Sequence, residues 1–179
     1  MATINLHGRR ILVTGAARVL GFAFAQAAVT AGARVAIADI LEERGRAAAS
    51  EIGAEYFALD LANPDSIASC ASKVTGRLGG LDGLVNNGAI ATGIGGPMMD
   101  QIEIDVWDRV MTVNVRGTWL MTKAARAHLA KSGRGKVVNI ASDTALWGAP
   151  KIMAYVASKG AVIAMTRSMS RELGGEGIA

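Results

Sequence analysis

The stretch Thr14–Gly21, TGAARVLG, joins an apolar run, RRILV at residues 9–13, to an alanine-rich helical pattern, and its reading decides the fold. Gly15 permits a tight turn out of a strand, and Gly21 lets a helix pack closely on that strand. Amide groups at the helix start, over Arg18, Val19 and Leu20, then face outward, where an anion such as a pyrophosphate binds. The glycine spacing is not G-x-G-x-x-G, so by itself the loop reads equally well as an ordinary strand-to-helix turn. Val19, bulky and β-branched, stands in its middle.

Outward from this loop, apolar strand-like runs alternate with helical patterns. RILVTG (10–15) leads to a helix over about 20–31, ARVAIAD (33–39) to one over 42–52, and EYFALD (55–60) to one starting near Asn63-Pro64. LDGLVNN (81–87) is followed by a glycine- and methionine-rich loop and helices over 104–130. GKVVNIAS (135–142) makes a fifth strand, and a helix follows over 153–173. This alternation predicts an α/β fold, a doubly wound parallel (Rossmann) sheet of order 3-2-1-4-5 forming one dinucleotide-binding domain over residues 1–179. The closing GGEGIA reads as a helix end, a turn and two residues of another strand. KVVNIA is too apolar to stand comfortably at a sheet edge, so the pattern predicts that outer strands are missing after residue 179.

Composition narrows the function classes. Hydrophobic residues make up 51% and charged residues 19%, with a net charge of +4. The densest basic stretch, RAHLAKSGRGK (126–136), reads as a helix end and turn, which argues against nucleic acid as a partner. No apolar run reaches membrane-span length and the start has no signal core, so no membrane partner and a cytoplasmic location are expected. Cys70, the only cysteine, reads as a small buried hydrophobe on a helix. His7 and His128 show no ligand spacing, and no metal site is expected. Met98, Met99, Met111 and Met121 read as core packing, and Trp107 and Trp119 as helix packing. Trp147, five residues after Ser142, is a pocket candidate.

Unusual polar residues fall at the carboxyl end of each strand: Gly15, Asp39, Asp60, Asn86-Asn87 and Ser142, where open α/β sheets bind ligands. Asp39 lies 24 residues after Gly15, near the offset at which an acid accepts hydrogen bonds from an adenosine ribose. A carboxylate there repels a 2′-phosphate and favours NAD over NADP, although Arg18 pulls the other way. A plain cap for the next helix is the alternative role. Tyr155 and Lys159 stand at i and i+4 on one helix face. A tyrosine of pKa about 10 is a poor base at neutral pH, and a neighbouring ammonium favours its phenolate.

Taken together, TGAARVLG, NNGA (86–89), NVRG (114–117), NIAS (139–142) and YVASK (155–159) resemble the short-chain dehydrogenase/reductase family along the whole chain. Ser142 precedes Tyr155 by thirteen residues, the family's usual spacing. The resemblance implies hydride transfer between NAD and a secondary alcohol or ketone. Tyr155 would be the acid/base, Ser142 would bond the substrate carbonyl, and Lys159 would hold the nicotinamide ribose and tune Tyr155. Asn114 would anchor a water in a proton relay. Asp60 with Leu61 would flank the adenine, Asn86 would support the cofactor side of the fourth strand, and Asn87 and Gly88 would join the cofactor-binding set. A homodimer or homotetramer, built through the helices holding Asn114 and Tyr155, is implied as well.

The chain departs from the family pattern at three points. Val19 replaces a glycine, Asn86-Asn87-Gly88-Ala89 replaces Asn-Asn-Ala-Gly, and the family's further strands and substrate-binding segment are absent. These departures keep a second reading open, a catalytically impaired Rossmann-fold binding or interaction protein.

Overall fold

β1, Arg10–Thr14, is the centre of a five-stranded parallel sheet of order β3-β2-β1-β4-β5, in a computed structural model that describes residues 4–179. Residues 1–3 of the expected domain lie outside the described residues. β2 spans Arg34–Asp39, β3 Glu55–Ala58, β4 Gly83–Asn86 and β5 Lys136–Asn139. The register sets Thr14 beside Ala38 and Val13 beside both Ile37 and Val85, which brings the carboxyl ends of these strands level. The order agrees with the sequence expectation, because right-handed crossovers leave few other arrangements.

Side chains alternate between two cores. Leu12, Ala36, Ala38 and Leu84 pack on one face with helices α3 (Pro64–Leu78) and α5 (Thr118–Lys131). Val13, Val35 and Ile37 pack on the other with α1 (Val19–Thr30) and α2 (Glu42–Ile52). The strands read as continuous apolar runs because both faces are covered. β5 is the exception, with Val138 50% exposed.

α3 shows how local chemistry fixes an element. Asn63 caps it by accepting from the amides of Asp65 and Ser66 (2.9 and 3.2 Å), Pro64 opens it, and Gly79 ends it in the left-handed region. Between α4 (Ile104–Met111) and α5, residues Thr112–Gly117 form a π turn. The long helix α7, Met153–Leu173, has the expected bounds. Two short elements carry no sequence periodicity: a 3₁₀ turn over Met99–Gln101 and the one-turn helix α6, Thr144–Trp147.

The last residues pair with β5. Ala179 donates to the Gly135 carbonyl (3.0 Å) and accepts from the Val137 amide (2.8 Å), a parallel bridge of the kind GGEGIA suggested. Several packing expectations need correction. Met121 is fully buried, but Met98 and Met99 are exposed, because they lie in the loop after β4. Trp119, expected to pack on helices, is 47% exposed on α5 with the Lys123 ammonium 5.6 Å over its ring, and it lines a groove with Met111 of α4 and Met165 of α7. Cys70 is buried in α3, and burial pushes its thiol up to about 11. No helix among the described residues is long and apolar enough to cross a membrane.

Candidate functional site

Two groups of polar residues form at the carboxyl ends of the strands. The first surrounds the glycine loop. Gly15 has φ +64, and a methyl carbon placed on it would lie 2.5 Å from Gly88 Cα. One placed on Gly21 would lie 2.3 Å from the Gly15 carbonyl oxygen. Both positions therefore need glycine. Asn87 donates from its amide side chain to the carbonyls of Thr14 (3.0 Å) and Gly15 (2.9 Å). In return, Thr14 Oγ1 accepts from the amides of Asn87 and Gly88, each at 3.1 Å. This reciprocal lattice ties β1 to β4. Thr14 is its hub, a role the residue type alone did not announce.

The start of α1 has no side-chain cap and no acidic residue in its first turn. Its first amides and the dipole are thus free to face an anion. Arg18 and Leu20 are exposed beside them. Val19 is 76% exposed at φ +49, in the left-handed region that glycine favours and a β-branched residue resists. The loop fits a dinucleotide pyrophosphate in its backbone and departs from that fit at Val19.

Asp39 is 8% exposed, and its two carboxylate oxygens accept from the amides of Ala17 (2.9 Å) and Leu41 (3.0 Å). It is not the cap of α2, whose capping position is Leu41 and has no side-chain bond. Instead it pins the glycine loop to the end of β2. Asp60 turns the chain by accepting from the Ala62 amide at 2.8 Å, which seats the buried Leu61 against Gly88 and Gly117.

Asn86 does not face this loop. Its amide donates to Thr122 Oγ1 (3.0 Å) and Asn139 Oδ1 (2.8 Å), linking β4 to α5 and β5. Side chains alternate along a strand, so only one of two adjacent asparagines can reach the glycine loop, and that one is Asn87.

The second group centres on α7. Lys159 is 4% exposed, donates to the Ile140 carbonyl at 2.6 Å, and holds its ammonium 5.7 Å from the centre of the Tyr155 ring. Burial lowers its pKa to about 8. The fully buried Asn114 lies in the π turn and clamps the backbone of Ile90 through both side-chain atoms (2.8 and 3.0 Å). It also donates to Ser158 Oγ (3.0 Å), which donates to the Tyr155 carbonyl (2.7 Å). Asn114 thus reaches the backbone of Tyr155 through Ser158, a link that YVASK contained without showing. π turns often mark functional sites, and this one carries Asn114 inward.

Ser142 lies beyond β5, and its Oγ accepts from Thr144 Oγ1 (2.8 Å) and the Thr144 amide (3.3 Å). Ser142 and Tyr155 share no hydrogen bond among the described residues. Between them in the chain, α6 packs against α7, which carries Tyr155, and Trp147 is 63% exposed at the end of α6.

Two clefts lie elsewhere. One of about 510 Å³ on the outer side of α4, α5 and α7 is lined by Met111, Val115, Arg116, Trp119 and Met165, among others. Another of about 500 Å³, near Arg10, His128 and Lys131, sits at the amino end of the sheet.

The family described as short chain dehydrogenase matches residues 9–179. Sorbitol dehydrogenase of Cereibacter sphaeroides is 42% identical over 98% of this chain and 68% of its own length. D-threitol dehydrogenase of Mycolicibacterium smegmatis is 34% identical over 97% of this chain and 68% of its own. The crystal structure of ribose-5-phosphate isomerase from Brucella melitensis 16M superposes with a TM-score of 0.91 at 30% identity, covering 99% of this chain and 68% of that one. The chain spans about two thirds of the length of the relatives it matches. With its glycine loop, its strand order and this extent of similarity, the chain belongs to the short-chain dehydrogenase family.

Proposed function

We propose that the chain forms the cofactor-binding and catalytic part of an oxidoreductase that passes hydride between NAD and a secondary alcohol or ketone. The observation that carries this reading is Lys159, buried beside Tyr155 at the carboxyl end of the sheet. With a pKa of about 8 it is still mostly protonated at pH 7, which places a positive charge beside Tyr155. In the oxidative direction Tyr155 Oη takes the hydroxyl proton of the substrate, and Ser142 Oγ donates a hydrogen bond to the same oxygen as its charge grows. NAD, when bound, supplies the hydride acceptor. The amides of Val19 and Leu20 at the start of α1 would hold its pyrophosphate, and Lys159 its nicotinamide ribose. Asn114 serves this set as an anchor for Ser158 and the turn of α7 that carries Tyr155.

Asp39 favours NAD over NADP. Its two oxygens hold two amides and keep lone pairs for ribose hydroxyls, while its negative charge opposes a 2′-phosphate. We also propose that a second copy docks on the apolar groove around Trp119 and Met165, giving a homodimer or homotetramer, and that the free Cys70 suits a reducing cytoplasm. The relatives named for sorbitol and D-threitol suggest polyols as first substrates to try.

Tyr155→Phe tests the chemistry. It should remove turnover of D-sorbitol or D-threitol and leave NAD binding, followed by titration calorimetry, unchanged. Turnover retained by the variant contradicts the assignment.

A second reading rests on Val19. Its left-handed backbone and exposed side chain stand where the cofactor would approach, and a binding protein without turnover follows if NAD is excluded. A relative from Xanthobacter autotrophicus, 42% identical over 156 residues, is named an inactive 2-(S)-hydroxypropyl-CoM dehydrogenase. NAD titration of the chain separates the two readings.

A further inference from the structure

Ser142 Oγ receives two hydrogen bonds, both from Thr144: one from its hydroxyl at 2.8 Å and one from its amide at 3.3 Å. A serine hydroxyl has two lone pairs and one proton. When both lone pairs accept, the proton alone remains for outside partners, and Ser142 can act only as a donor. Donation is what a carbonyl oxygen or a developing alkoxide needs. A serine with a free lone pair would also accept a hydrogen bond from the substrate hydroxyl and turn that hydrogen away from Tyr155.

Thr144 is itself held in place. Its carbonyl accepts from the amides of Gly148 (3.0 Å) and Ala149 (3.2 Å), closing the turn of α6, and Gly148 ends that turn at φ +72. The backbone around α6 therefore fixes the direction from which Thr144 meets Ser142. Bonds accepted at an oxygen also polarise its O–H and strengthen it as a donor.

We propose that Thr144 is a positioning residue that locks Ser142 as a hydrogen-bond donor to the reacting oxygen, an inference that rests on the role given to Ser142 above. Turnover of D-sorbitol and D-threitol, NAD affinity and thermal midpoint are measured for Thr144→Val, Thr144→Ser, Ser142→Ala and Thr144→Val/Ser142→Ala. Crystal structures of the wild type and Thr144→Val report the position of Ser142 Oγ.

Thr144→Val should lower kcat about 10- to 30-fold, less than the roughly 100-fold expected for losing the serine donor itself. NAD affinity should hold, and Thr144→Ser should restore kcat to within about threefold, since its hydroxyl can make the same bond. The double variant should be no slower than Ser142→Ala, because Thr144 acts only through Ser142. Ser142 Oγ should leave its wild-type position, or split between rotamers, in Thr144→Val.

A full-rate Thr144→Val beside a crippled Ser142→Ala overturns the inference and leaves the reading of Ser142 standing, as does a multiplicative loss in the double variant. A full-rate Ser142→Ala overturns both. If neither polyol turns over, the crystallographic comparison decides, and an unmoved Ser142 Oγ in Thr144→Val overturns the inference.

Discussion

Lys159 keeps its ammonium buried 5.7 Å from the centre of the Tyr155 ring and bonded only to the Ile140 carbonyl among the described residues. No carboxylate offsets its charge there, which is why burial dominates and its pKa falls to about 8. The site thus holds a cation at a cost to the fold, and the cost has a pH signature.

A lysine that titrates at about 8 folded and at 10.5 unfolded binds fewer protons in the folded state between those values. Stability therefore rises with pH across that window, and below it the fold is weaker by about 3 kcal/mol. Lys159→Met should be at least as stable as the wild type at pH 7 and should lack the rise toward pH 10. Urea denaturation of both proteins at pH 7 and 9.5 checks this, and a parallel rise in both would contradict it.

At Val19 the backbone has φ +49, a conformation that costs a β-branched residue about 1–3 kcal/mol. Glycine removes that strain but adds unfolded-state entropy that opposes folding, so Val19→Gly should be stability-neutral or modestly stabilising. It should also tighten NAD binding about tenfold, by clearing the approach to the amides of α1. Calorimetric titration with NAD and a thermal melt on the two proteins suffice, and equal affinity would show that the loop accommodates valine.

Asp39 holds the Ala17 amide with one oxygen and the Leu41 amide with the other. Asp39→Asn keeps an acceptor for only one of them and removes the charge that opposes a 2′-phosphate. The loop should loosen by about 1–2 kcal/mol. NAD affinity should fall, and the ratio of NADP to NAD affinity should rise, aided by the exposed Arg18. Fluorescence titration with both cofactors reads the ratio, and an unchanged ratio would remove Asp39 from cofactor choice.

Much of this was legible in the sequence because it is written in local periodicity and short spacing. Continuous apolar runs bounded by helical patterns fixed the sheet, and i, i+4 spacing placed Tyr155 and Lys159 on one face. What escaped was written in three dimensions. Thr14 becomes a hub only when β4 brings Asn87 and Gly88 beside it. Ser158 joins Asn114 to Tyr155 only once the π turn packs on α7. Asn86 and Asn87 look alike in sequence, and the pleat alone decides which faces the glycine loop. Met98 and Met99 have apolar side chains but lie in a loop, where hydrophobicity does not predict burial.

Asp82 is the clearest feature the sequence concealed, because its partners lie 72 residues before it and 52 residues after it. Its buried carboxylate accepts from the backbone amide (2.9 Å), Nε (2.8 Å) and Nη2 (3.1 Å) of Arg10, and from Nε of Arg134 (2.9 Å). These bonds, Arg10's foremost, hold its pKa well below the usual carboxylate range. A depressed carboxylate contributes its stability in full above its unfolded pKa of about 4 and loses it as pH falls toward the folded value. Asp82→Asn leaves two guanidinium groups without a counter-charge and should cost about 3 kcal/mol at pH 7. The gap between wild type and variant should narrow as pH drops below about 4, where the unfolded carboxylate protonates. Urea midpoints at pH 7, 5 and 3 measure the gap, and a constant gap would mean that lost packing, not lost charge, sets the cost. NAD affinity should be unchanged at pH 7, since Asp82 lies before β4, at the opposite end of the strand from Asn86 and Asn87.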